Sequence, residues 1–289
     1  MRLALLTALT MLAFAANSIL NRAAVGAGHI EASDFALIRV ISGAVTLVAL
    51  AILGKRQLAL LLPSRLWGAV TLSFYLIGFS VAYLSLDAGL GALILFGGVQ
   101  VTMFAGAALA GDALPARRWI GSGLAFAGLV WLLWPTGAVA VPIAAGLAMC
   151  IAALGWGLYS LAGRGSKDPL ADTAANFLLA VPLCGLAVLL APEAAQGTPI
   201  TPTGLTLAIT SGAVTSGLGY ALWYQLLPKL EASFAGLVQL SVPVIAVLGG
   251  IILLSEPPSL RLIGAGLLVL GGIAYGLGAH QRRIGSSGS

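Results

Sequence analysis

The sequence predicts an all-α membrane protein of ten transmembrane helices, arranged as two inverted five-helix repeats around a central cavity. Three observations carry that prediction. Of the 289 residues, 60% are hydrophobic and only 8% are charged, whereas a soluble domain carries roughly 25% charged residues to face water. The apolar stretches run for about twenty residues, the length that crosses hydrocarbon as a helix. The second half repeats the first at an offset of about 140 residues, the pattern expected of transporter-like folds built by duplication.

Lipid offers the backbone no hydrogen bonds, so only helices or closed barrels span it. Barrel strands alternate apolar and polar residues; these runs are apolar throughout and are helices. Spans are expected at 3–21, 34–54, 66–85, 89–111, 118–135, 142–163, 172–190, 204–227, 232–254 and 260–280. The breaks fall on turn-forming or charged clusters such as Gly54-Lys55-Arg56, Pro135-Thr136-Gly137 and Glu256-Pro257-Pro258. The longest connection, Ala191 to Thr203, holds three prolines and no basic residue. Abundant glycine, 38 residues, suits helices that must approach closely without a hydrophobic drive between them.

A net charge of +5 raises a nucleic-acid partner as a possibility, and the charge positions argue against it. If the chain starts in the cytoplasm, that side holds Arg2, Lys55, Arg56, Arg65, Arg117, Arg118, Arg164, Lys167, Lys229, Arg282 and Arg283, which is 11 of the 14 basic residues. The other side holds only Arg22 and Arg261, and Arg39 falls within a span. This positive-inside bias places both termini in the cytoplasm of a bacterial-type inner membrane. The N-terminal run is expected to be the first span, not a signal peptide. Cys150 and Cys184 read as small buried hydrophobes. No metal-ligand spacing appears and no cofactor is expected. Residues 284–289 read as an expression-tag remnant.

The repeat aligns Phe14–Arg22 with Trp156–Arg164, Asp34-Phe35-Ala36 with Asp172-Thr173-Ala174, and Val99-Gln100 with Val238-Gln239. It also aligns Arg118–Leu124 with Arg261–Leu267, and Asp112 and Pro115 with Glu256 and Pro258. The first unit is taken as 1–137 and the second as 138–283. An odd number of spans per unit forces the two into opposite orientations, which supports alternating access at their interface. In the second unit, Val242-Pro243-Val244, Ser255-Glu256-Pro257 and Leu262–Leu267 resemble the EamA-type transporters of the drug/metabolite transporter superfamily. The chain is most similar there to the YddG-type amino-acid exporters. It departs from the pattern in lacking a first-unit proline equivalent to Pro243. The resemblance implies ten spans, a cavity lined by spans one, three, four, six, eight and nine, and export of amino acids or similar small metabolites.

Polar and aromatic groups inside spans are the candidate substrate-binding residues, because polar groups are costly in hydrocarbon. Asn17 and Asn21 share one face of span one. Tyr75, Phe79 and Tyr83 form a stripe on span three, Trp156 and Tyr159 share a face of span six, and span eight offers Tyr220, Trp223 and Tyr224. Gln100 and Gln239 occupy repeat-related places, with Ser241 close by. Aromatic walls with amide groups suit a zwitterion with a modest side chain. Trp119, Trp131 and Trp134 read as interface anchors. Arg39 is expected to anchor at the interface or pair with Asp34 or Glu31, with a substrate carboxylate as the alternative. Glu256 reads as gate or structure. With no acidic residue deep in a span, transport is expected without a buried proton relay. Nucleosides, purines and drugs are alternative substrates. An intramembrane enzyme lacks its motifs, and a channel lacks a filter. The expected surroundings are a lipid bilayer and a monomeric state, with spans five and ten packing through their glycines.

Overall fold

The computed structural model describes residues 2–109, 116–134, 141–163, 165–190, 198–226, 239, 241–257 and 259–277, and every regular element among them is helical. Helix α1 (Arg2–Asn21) ends in a π-helical turn (Arg22–Gly26). It is followed by α2 (Ala32–Leu53), α3 (Pro63–Ala82), α4 (Ala88–Leu109) and α5 (Ala116–Leu133). The second set begins with α6 (Ile143–Gly163) and α7 (Pro169–Leu190). Helix α8 is continuous through Pro202–Thr210, a π-helical stretch Ser211–Leu218, and Gly219–Leu226. Helices α9 (Ser241–Leu254) and α10 (Leu260–Leu277) complete the bundle. Seven of these are long and apolar enough to cross a membrane, and α9 and α10 are shorter apolar helices within the described residues.

Local chemistry sets the ends. Pro63 and Pro202 occupy first-turn positions, where a missing N–H costs nothing. Thr201 caps α8 by accepting from the Gly204 N–H at 3.0 Å. The sequence-derived spans agree with the helices to within a few residues. The start of span nine (232–238), the loop 191–197 and the Asp112–Pro115 alignment lie outside the described residues.

Several of the helix contacts recur when the two sets are exchanged. The α3–α6 contact is matched by α8–α1, α4–α6 by α9–α1, and α3–α7 by α8–α2. Helices α2 and α7, α4 and α9, and α5 and α10 pack on each other directly. Glycine permits the closest crossings. At Gly78 an added methyl would meet the Ala148 carbonyl at 2.6 Å, and at Gly155 the Thr71 carbonyl at 2.6 Å, so α3 and α6 touch backbone to backbone. At Gly212 a methyl would overlap the Ser42 hydroxyl and the Arg39 carbonyl, which holds α8 hard against α2. In α5 and α10, Gly121 lies against Gly272 and Gly128 against Val269, as expected, while Gly123 and Gly271 face open space.

The outside of the bundle is apolar. Leu5, Val45, Leu53, Leu189 and Leu267 are exposed, and Trp119, Trp131 and Trp134 point outward, as a lipid-facing surface requires. One cysteine differs from expectation: Cys184 is buried but Cys150 is exposed on that surface. Cys150 occupies a position on α6 that turns away from the core, which its small apolar side chain tolerates in lipid.

Overpacking a tight backbone crossing costs about 1–3 kcal/mol. Gly212→Ala is expected to lose that much in reversible unfolding in mixed micelles, and Gly123→Ala, with no neighbour within 4 Å, to stay within about 0.5 kcal/mol of the parent.

Candidate functional site

Five helices meet at the centre of the bundle around a small cavity lined by Phe14 and Asn17 (α1), Tyr75 and Phe79 (α3), Leu95 and Phe96 (α4), Trp156 (α6) and Tyr220 (α8). Its volume is about 10 Å³, roughly the room one water needs. The rings have closed on one another. Tyr75 and Trp156 lie 4.9 Å apart, Trp156 and Tyr220 4.9 Å, Phe14 and Tyr220 5.7 Å, and Phe14 and Trp156 6.3 Å. These separations fall in the favourable range for offset and edge contacts, about 0.5–1.5 kcal/mol each. Phe14 and Trp156 are aligned by the internal repeat, and here they touch.

A polar layer adjoins the rings. Asn17 Oδ1 accepts from Ser211 Oγ at 2.9 Å, Thr215 Oγ1 at 2.5 Å and Ser216 Oγ at 3.3 Å. All three hydroxyls come from the π-helical stretch of α8. Widened turns of this kind occur often at functional sites, and this one aims three small polar groups at α1. Asn21 Nδ2 donates to Ser80 Oγ at 3.1 Å.

The largest departure from expectation is Arg39. It neither snorkels to the interface nor pairs with Asp34 or Glu31. It is completely buried, donating from Nε to Ser216 Oγ at 3.0 Å and from Nη2 to Tyr75 Oη at 2.9 Å. Its guanidinium carbon lies 5.2 Å from the Tyr75 ring centre and 5.0 Å from that of Phe79. The reason is the close α2–α8 approach at Gly212, which seals the side chain inside before it can reach water. Burying such a cation costs several kcal/mol. Hydrogen bonds to a charged donor return about 1.5–3 kcal/mol each, and ring faces about 0.5–2 kcal/mol each. Nη1 has no hydrogen-bond partner, and no carboxylate among the described residues lies within ion-pair distance of Arg39.

Of the sequence-derived candidates, Asn17, Tyr75, Phe79, Trp156 and Tyr220 line the cavity. Tyr159 and Trp223 form the layer behind it, against Trp156 at 5.6 Å and Phe14 at 5.7 Å. Asn21 is buried one turn along α1. Tyr83 sits at the end of α3, its hydroxyl donating to the Ala88 carbonyl at 3.3 Å. Gln100, Gln239 and Ser241 are half-buried and do not line the cavity; they stand farther along α4 or near the start of α9. The side chain of Tyr224 lies outside the described residues. Phe14, Leu95 and Phe96 are not among those candidates; the repeat alignment with Trp156 is the signal that marks Phe14, and an apolar residue in an apolar helix gives none for Leu95 and Phe96. Helix α9 contributes no lining residue among those described.

Both ends of the bundle are latched. At the end carrying the α1–α2, α3–α4 and α9–α10 connections, both Glu256 carboxylate oxygens accept from the Ala88 N–H at 2.8 and 3.0 Å, capping α4, where a helix N-terminus favours negative charge. Ser255, at φ 56°, turns the chain to deliver that carboxylate. Arg22 approaches Glu256 at 3.7 Å and Asp87 at 3.6 Å, and donates to the Tyr83 and Leu84 carbonyls. At the opposite end Arg65 pairs with Asp172 at 2.7 Å, tying α3 to α7, and Arg56 with Asp168 at 3.6 Å.

The comparisons with known proteins follow this geometry. Residues 143–276 match the family described as the EamA-like transporter family. A protein of Pseudomonas aeruginosa, named only as uncharacterized, is 46% identical over 290 residues, covering 100% of this chain and 99% of that one. The chain belongs to the EamA-like transporter family. A protein of Archaeoglobus fulgidus named as an uncharacterized transporter is 46% identical over 61 residues, 21% of this chain and 22% of that one. A protein crystal structure superposes with a TM-score of 0.68 over 99% of both chains at 20% identity, a likeness of fold. An EamA-like chain is an integral membrane protein that transports small molecules.

Burial and Asp87 hold the Glu256 carboxyl above its ordinary 4.5, against the Ala88 N–H and Arg22, which lower it. A proton therefore binds the closed latch more tightly than an open, hydrated one. The resulting bias toward closure is full below 4.5 and is lost as pH rises through the raised value. Hydrogen-exchange protection of the Ala88 amide, corrected for intrinsic rate, is expected to fall over that window. Glu256→Gln should hold it at its acid-side level throughout.

Proposed function

We propose that this EamA-like chain is a secondary transporter that exports amino acids with aromatic or neutral side chains by alternating access. It resides in a bacterial-type inner membrane with both termini cytoplasmic. The observation that carries this reading is the aromatic, hydroxyl-edged cavity built jointly by α1, α3 and α4 from one set of helices and α6 and α8 from the other. Ring faces accept an apolar or aromatic side chain, while the Asn17, Tyr75 and Tyr220 polar groups orient a backbone. The two units are 1–137 and 138–283; with five spans each, consecutive spans running up and down put them in opposite senses. That relation, together with the helix contacts that recur between the two sets, supports one site served from two faces. The cavity is contracted and both ends are latched, so this is a closed state of the cycle. Transport then consists of releasing the Glu256 and Arg65–Asp172 latches in alternation. The charge map supports export from a cytoplasm lined by basic loops, in the manner of the YddG-type exporters the sequence resembles. The lining residues include no carboxylate, which favours facilitated or exchange transport over a proton relay through the site. The stacked rings favour one second reading, a planar nucleoside or purine in place of the amino acid.

Radiolabelled counterflow in proteoliposomes, across a panel of amino acids and nucleosides, tests this reading. Aromatic amino acids are expected to exchange. Trp156→Ala should lower their exchange about tenfold or more, one lost contact of about 1.4 kcal/mol. Gln100→Ala, off the cavity wall, should stay within about twofold. Exchange of nucleosides alone would replace the amino-acid substrate, and equal loss in both variants would displace the site.

A further inference from the structure

We propose that Arg39 is a carboxylate anchor: the cavity takes ligands bearing one free carboxylate, and the carboxylate, not the ammonium, is what it requires. The proposal rests on the transporter reading above and sharpens it. The guanidinium has five N–H donors in a planar fork that matches a carboxylate. Nε and Nη2 are used by Ser216 and Tyr75, and Nη1 is fully buried with no partner. The group stands directly behind the cavity wall, against the rings of Tyr75 and Phe79, both of which line it.

The neighbouring polar groups are of one kind. Tyr75 and Tyr220, with hydroxyls 3.4 Å apart, can both donate to an anion. Asn17 Oδ1 is already taken by three hydroxyls, so what Asn17 offers a ligand is its amide N–H. The wall therefore offers an anion several donors, while its side-chain acceptors are the two phenol oxygens. An ammonium would find ring faces, those oxygens and a repelling guanidinium behind them, whereas a carboxylate would find the Arg39 cation and up to three further donors. The arrangement belongs to one unit alone. The repeat that aligns Asp34 with Asp172 puts Phe177 in the place of Arg39, and Phe177 packs on Tyr220 at 5.8 Å. One cation serves a site shared by two units, which suits a ligand with a single anionic group.

The test measures thermal stability in detergent and counterflow in proteoliposomes with four related probes: phenylalanine, 3-phenylpropionate, phenylalanine methyl ester and phenethylamine. Sodium chloride at matched concentration is a fifth arm. Both acids are expected to raise Tm and to exchange within about threefold of each other, with the ester and the amine about tenfold to hundredfold weaker, the range of one charge-assisted contact. In Arg39→Gln the acids should lose both effects, while the ligand-free Tm stays level or rises, because removing an uncompensated buried charge relieves the fold. Because the probe series is read on the unaltered protein, a poorly folding variant leaves the result intact. Ester or amine binding as strong as the acids would overturn the carboxylate anchor and leave the transporter reading standing. A Tm rise with chloride equal to that with the acids would also overturn it, assigning the site to any small anion. Acids that stabilise without exchanging would uphold the anchor and remove the transporter reading.

Discussion

A guanidinium held at the centre of a lipid-embedded bundle without a carboxylate constrains the rest of this structure. Arg39 cannot reach water, because α8 presses against α2 where Gly212 leaves no side chain between them. Its charge is spread instead over the Ser216 hydroxyl, the Tyr75 phenol and two ring faces. Each of those partners is itself positioned by another contact. Ser216 belongs to the π-helical stretch that also holds Asn17, and Tyr75 stacks on Trp156 across the α3–α6 glycine crossing. Such networks polarise one another and are costly when half satisfied. A buried cation with one N–H group unpartnered is a cost to the fold, of the kind often kept where stability is traded for function.

The architecture turns that local strain into a device with two ends. Among membrane helices, apolar area gives little drive to associate, so packing is decided by small residues at crossings and by a few polar ties. The ties here fall at opposite ends of the bundle, Glu256 on the α4 N-terminus at one and Arg65 on Asp172 at the other. They join elements from the two proposed five-helix units. A ligand wedged between rings now 4.9 Å apart must push those units apart, and the rigid, closely crossed helices transmit the push to whichever latch is weaker.

Much of the fold was legible in the sequence. Lipid demands long, uniformly apolar helices, and prolines such as Pro63 and Pro202 mark where they start, so helix limits followed closely from the chain. The aromatic stripe Tyr75–Phe79 and Trp156 reached the cavity because helical spacing puts them on one inward face. What composition leaves open is rotation about the helix axis. Apolar membrane helices carry almost no amphipathic signal, so Gln100 and Gln239, chosen for their repeat-related places, stand off the cavity wall while Leu95 and Phe96 line it, and Phe14 was marked only by its alignment with Trp156. Arg39 was misread for a related reason: a long cation near a span end normally snorkels, and only the tertiary seal at Gly212 prevents it. The π-helical widening that aims Ser211, Thr215 and Ser216 at Asn17 depends on packing and left no trace in composition.

The most direct measurement is an experimental structure of the protein saturated with phenylalanine. This account predicts the ligand carboxylate within hydrogen-bond distance of Arg39 Nη1, the amino group against ring faces, and the Tyr75–Trp156 contact parted. A ligand bound elsewhere, with Arg39 Nη1 still without a hydrogen-bond partner, would contradict it.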